Sequence, residues 1–159
     1  MALARQIAVN TEAEAVRARA EVRAVPLPLP KGSGSEEQKD HFIVRNGLCY
    51  AGSHLIVDMW DASNLDDVEA IERALKAAVE AAGATLLHLH LHRFTPNGVS
   101  GVAVLAESHI SIHTWPERGY AALDIFMCGD AEPTKAIAVL RAAFQPGSIN
   151  VSEHKRGII

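Results

Sequence analysis

Hydrophobic and polar positions along the chain change rhythm several times, and each rhythm predicts an element. His54-Leu55-Ile56-Val57-Asp58-Met59-Trp60 is a short apolar run of strand length. From Leu65 apolar side chains recur at helical spacing, at Val68, Ile71, Leu75, Ala78 and Val79. They line one stripe of a helix over residues 65–82. Asn64 or Ser63 is expected to cap it, with Asp66 and Asp67 in the first turn, where the helix dipole favours anions, and Gly83 as the stop. Over residues 85–94 the period falls to two: Leu87, Leu89 and Leu91 alternate with His88, His90 and His92, as on a strand with one face in a core. Thr95-Pro96-Asn97-Gly98 then signals a hairpin turn. Residues 101–112 and 120–128 read as further strands. Residues 134–144 follow Pro133 with helical spacing and stop at Gln145-Pro146-Gly147, and residues 148–153 read as a last strand. The predicted order is β-α-β-β-β-α-β. This is an α+β fold, a two-layer sandwich with a mostly antiparallel sheet and two helices on one face.

The first 48 residues follow none of these rhythms. Residues 11–23 are rich in Ala, Glu and Arg and suit a short polar helix. Residues 25–30 carry proline at alternate positions, which favours an extended backbone. Lys31-Gly32-Ser33-Gly34-Ser35 reads as a flexible linker. The chain therefore divides into an N-terminal extension, 1–48, and one folded domain, 49–159. Glu12, Glu14 and Glu21 argue against a transit peptide.

Composition narrows the class. The formal net charge is −4, and the sequence shows no basic stripe of the kind that binds nucleic acid. No apolar run has the length of a membrane span. Two cysteines, Cys49 and Cys128, make no disulfide framework and read as reduced thiols of a cytoplasmic protein.

The candidate chemistry lies in Glu107-Ser108-His109-Ile110-Ser111-Ile112-His113-Thr114-Trp115-Pro116-Glu117. On a strand, His109, Ser111 and His113 share one face, and Ser108, Ile110 and Ile112 the other. Spacing alone takes this no further than a polar strand bordering a cleft, and Trp115 reads equally as a core residue. The row His88, His90, His92 raises a rival class, a zinc-dependent hydrolase. However, neighbours two apart on a strand lie roughly 7 Å apart and do not converge easily on one ion, so no metal is expected.

The run ESHISIHTWPE at 107–117, GYAALDIFMCG at 119–129, HRFTPNGVSGVAVLAES at 92–108, GSHLIVDMW at 52–60 and SEHKRG at 152–157 resembles the prokaryotic S-adenosylmethionine decarboxylase proenzymes. Met127 departs from the family's usual threonine, and residues 1–48 have no counterpart. The resemblance implies self-cleavage between Glu107 and Ser108, which would convert Ser108 into a covalent pyruvoyl group. That ketone would serve as electron sink in decarboxylating S-adenosylmethionine, giving the aminopropyl donor for spermidine synthesis. It further implies His113 as the processing base, Ser100 as its hydrogen-bonding helper and Cys128 as the proton donor after carbon dioxide leaves. Phe94 would stack on adenine and Glu117 would hold the ribose hydroxyls, with Glu107 and Asp58 near the substrate amine or sulfonium. A homodimer whose two sites draw on both chains is implied as well. Two alternatives remain within reach of the sequence: a shift of substrate to ornithine or arginine, and a non-catalytic relative. Phe94 and Glu117 argue against the first, Ser108, His113 and Cys128 together against the second.

Overall fold

In the computed structural model, residues 41–159 are described. The segments read from the sequence at 11–23, 25–30 and 31–35 lie outside them. Two short strands come first, β1 (Ile43–Arg45) and β2 (Leu48–Tyr50). They are joined through Asn46 and Gly47, both at positive φ (52° and 77°), the turn chemistry that Asn-Gly favours in a two-residue hairpin. The boundary drawn at residue 48 falls inside β2.

Six further strands form one antiparallel sheet: β3 (Gly52–Trp60), β4 (Leu86–Arg93), β5 (Val99–Leu105), β6 (Ser108–Trp115), β7 (Tyr120–Met127) and β8 (Ser148–Arg156). Their spatial order is β4-β5-β6-β7-β3-β8. Two helices, α1 (Val68–Ala81) and α2 (Pro133–Phe144), complete the domain. The α+β two-layer sandwich expected from the sequence is what forms.

Period-two patterning decides which face is covered. Leu55, Val57 and Met59 of β3, Ile110 and Ile112 of β6, and Leu123, Ile125 and Met127 of β7 are buried in one core. The helices supply Ile71, Leu75, Ala78, Ala136, Leu140 and Phe144 to that same core. Each buried Leu, Ile, Val, Met or Phe among them contributes about 1.5–3 kcal/mol. Among the described residues no helix lies on the opposite sheet face.

Two sequence-level expectations need correction. Residues 101–112 are not one strand but the hairpin β5–β6, turning at Ala106 and Glu107. The core-facing residues sit at odd positions before the turn (Val99, Ala103, Leu105) and at even positions after it (Ile110, Ile112). A continuous strand cannot switch faces in this way. The cap of α1 is Asp67, whose carboxylate accepts the Ala70 N–H at 2.9 Å. Ser63 and Asn64 instead donate to the Phe144 and Ala143 carbonyls, both at 3.0 Å, tying the helix entry to the end of α2.

Candidate active site

The expected site residues gather at two places, at opposite ends of the β5–β6 hairpin. At the turn end, Glu107 and Ser108 enter β6, where Ser108 pairs with Met127 of β7. Ser108 has φ of 128°, a backbone region that side-chain-bearing residues rarely adopt and that marks local strain. The Glu107 carbonyl, one half of the bond ahead of Ser108, accepts the Cys128 N–H at 3.0 Å. The Glu107 carboxylate accepts the Thr85 N–H at 2.8 Å and the Thr85 hydroxyl at 3.2 Å. Glu107, Ser108 and Cys128 are all half-buried. The bond is therefore held by fixed donors and still reachable.

At the other end lies an open cleft of about 320 Å³ lined by Phe94, Ser100, His113, Trp115 and Glu117 among others. Ser100 and His113 face each other across β5 and β6, and Ser100 Oγ lies 2.8 Å from His113 Nδ1. A hydroxyl this close fixes the ring's orientation. Which partner donates depends on the tautomer. Phe94 is half-exposed and edge-on to His92 at 4.7 Å. Gly98, at φ 97°, turns the chain beneath the cleft, and its N–H donates to Asp66 at 2.9 Å. Asp66 also pairs with Arg93. That guanidinium, with the Gly98 N–H second, holds the carboxyl below its usual range. At Gly101 an added Cβ would meet the His90 carbonyl oxygen at 2.7 Å and Leu91 Cδ2 at 2.2 Å, so glycine lets β4 and β5 pair closely.

Asp58 lies on the open face in the same cross-sheet row as His113. It accepts the Tyr120 hydroxyl at 2.6 Å. That hydrogen bond, with burial second, pushes the Tyr120 phenol up to about 12. The Tyr120 ring stacks on Trp60 at 4.3 Å and lies 5.3 Å from Trp115. Trp115, left open between core and cleft by the sequence, is half-exposed in the cleft wall. The contacts of Thr85, Tyr120 and Asp66 escaped the sequence reading, which placed Asp66 in the first turn of a helix. Each residue acts through a partner at least 22 residues away, which no local pattern encodes.

Seven of the chain's eight histidines lie on this uncovered face: His54, His88, His90, His92, His109, His113 and His154. They fall in three successive rows, with His88, His109, His54 and His154 in one, His90 in the next and His92 and His113 in the third. Among the described residues no three His, Cys, Asp or Glu side chains converge as a metal site.

The family model described as S-adenosylmethionine decarboxylase matches residues 53–157. A proenzyme of that name from Thermomicrobium roseum is 50% identical over 110 residues, covering 68% of this chain and 95% of the relative. One from Methanococcus maripaludis is 51% identical over 111 residues, covering 68% and 91%. The crystal structure of the adenosylmethionine decarboxylase from Aquifex aeolicus superposes with a TM-score of 0.63 at 38% identity, over 69% of this chain and 93% of that one. With most of its folded part matched by sequence and by structure, this chain belongs to the S-adenosylmethionine decarboxylase family.

Proposed function

We propose that this chain decarboxylates S-adenosylmethionine, using a pyruvoyl group that it makes by cutting its own backbone between Glu107 and Ser108. The product is the aminopropyl donor for spermidine synthesis. The observation that carries this reading is the Glu107–Ser108 linkage itself. Its carbonyl accepts the Cys128 N–H at 3.0 Å, and the next residue is held at φ 128°. A donor aimed at that oxygen stabilises the charge that develops when the carbonyl is attacked.

The balance of the cleavage is simple. Ser108 Oγ adds to the Glu107 carbonyl carbon, and the C–N bond breaks, leaving an ester and a free amine on residue 108. Removal of the residue 108 α-proton expels Glu107 as a carboxylate. Water then replaces the nitrogen, ammonia leaves, and a ketone remains at the new chain end. Once formed, that group supplies an electron sink for the α-carbon of an amine-bearing acid. The rest is work for this chain's residues. Cys128 Sγ returns a proton to the α-carbon, and Glu107 lies beside the amine. Phe94 offers a ring to the nucleobase, as aromatic faces stack on flat, delocalised groups, and Glu117 accepts from the ribose hydroxyls. Asp58 adds a carboxylate on the face where the sulfonium binds.

The His113 imidazole takes the α-proton, with Ser100 orienting the ring, and this requires a second copy of the chain. Ser108 and His113 stand five positions apart on β6, roughly 17 Å at about 3.3 Å per residue. No proton passes directly between them in one protomer. A two-fold pairing of the uncovered faces, strands opposed, would bring the Ser108 end of one protomer to the His113 end of its partner. Ile56, Trp60, Val104 and Trp115 are exposed on that face, which suits a covered interface. We therefore read the protein as a homodimer with two composite sites, and assign the reaction to residues 49–159. Free Cys49 and Cys128 suit the reducing cytoplasm. No helix among the described residues is long and apolar enough to cross a membrane.

Carbon dioxide release from S-adenosylmethionine, ornithine and arginine tests the reading. Release from the first alone is expected. Release only from the other two would remove the nucleoside from the account.

A further inference from the structure

The turn that precedes Ser108 is gripped from a direction that the cleavage chemistry does not explain. Thr85 stands at the entry to β4, after the end of α1, and makes three hydrogen bonds to the two turn residues. Its carbonyl accepts the Ala106 N–H at 3.0 Å. Its own N–H and hydroxyl donate to the two carboxylate oxygens of Glu107, at 2.8 and 3.2 Å. On the far side, the Cys128 N–H holds the Glu107 carbonyl at 3.0 Å. Glu107 is thus fixed at both its side chain and its backbone, and the residue beyond it carries the unfavourable φ.

We infer that Thr85 is a positioning residue for self-cleavage: it anchors the Glu107 carboxylate so that the Glu107 carbonyl stays seated on the Cys128 N–H while Ser108 attacks. An unanchored two-residue turn would sample geometries in which the carbonyl points elsewhere. Each would have to be frozen out before reaction, at an entropic cost to the rate. The anchor also outlasts the cut. When the bond ahead of residue 108 breaks, Glu107 becomes a free chain end. Its side chain remains tied to Thr85, while β5 remains paired with β4. The new end is kept beside the site, with its side-chain carboxylate available to a bound amine. The inference rests on the self-cleaving reading above.

The test uses the full chain, with cleavage followed by intact mass from the newly made precursor. Thr85→Val removes the hydroxyl and keeps the backbone N–H. It should slow cleavage roughly tenfold, the size of one hydrogen bond to a charged group. Thr85→Ser should restore the rate. Thr85 is exposed, so thermal unfolding of uncleaved Ser108→Ala with and without Thr85→Val should differ little. That comparison separates anchoring from a loss of fold. Glu107→Gln weakens the same contact from the other side. Adding Thr85→Val to it should cost much less than in the wild-type background, because coupled partners are not additive. Cleavage of Thr85→Val at the wild-type rate, or full additivity with Glu107→Gln, would overturn the anchor. A wild-type chain that never cuts would instead overturn the reading beneath it.

Discussion

The two ends of the β5–β6 hairpin differ in what they lack. The turn end holds the strained residue, the donor to the neighbouring carbonyl and a thiol-bearing residue, but no imidazole hydrogen-bonded to a hydroxyl. The cleft end holds that imidazole–hydroxyl pair, an exposed aromatic and an acid, but no strained linkage. Under the proposed function, each supplies half of a decarboxylase site. One antiparallel hairpin makes both because its register fixes residues at the two ends at once: Leu105 opposite Ser108, Ser100 opposite His113. A single small sheet thus carries complementary surfaces, and symmetry can unite them.

The largest expected effect separates the ends outright. Ser108→Ala should leave one uncut chain with no carbon dioxide release, whereas Glu117→Gln, at the other end, should still cut. Mass spectrometry and a release assay on both variants check this. Next, coexpression of Ser108→Ala with His113→Ala should restore activity to about a quarter of wild type. Half the dimers are mixed, and each mixed dimer has one intact composite site. Activity no greater than the sum of the two variants alone would break the idea of shared sites. A smaller effect is expected at the cleft wall, where Phe94→Ala should lower kcat/KM by about tenfold through lost stacking. It should leave cleavage unchanged, which would confine Phe94 to substrate binding.

The smallest effect concerns Tyr120. Its phenol is raised from 10.0 to about 12 by the hydrogen bond to Asp58 and by burial. The neutral form is thus favoured in the folded state. The stability this contributes is fully present below pH 10 and is lost as pH rises toward 12. Urea midpoints measured across that window should fall more steeply for wild type than for Tyr120→Phe. Parallel slopes would show that the contact with Asp58 is not maintained in solution.

Much of the fold was legible in period and punctuation. The alternation in residues 87–91 marked β4, although only Leu89 and Leu91 turn partly into the core, while Leu87, at an irregularity in the β4–β5 register, is 63% exposed. The spacing from Val68 to Val79 marked α1, because burial on one face imposes that period directly. The β5–β6 turn was misread because Ala106-Glu107 carries none of the glycine or proline chemistry that usually announces a hairpin. The shift of apolar residues from odd to even positions was the available signal. The motif drew attention to Ser108, His113 and Cys128. The sequence already put Ser108 and His113 on one strand, and the register adds which residues face each of them, Leu105 and Ser100. Thr85 had no signal at all, since its role is a contact across 22 residues.

The most direct measurement is the intact mass of the wild-type chain after purification and prolonged incubation, read with and without borohydride. The account predicts two chains, one ending at Glu107 and one beginning at residue 108 with a reducible ketone in place of an amine. A single uncut 159-residue chain, or two chains whose second begins with an ordinary serine amine, would contradict it.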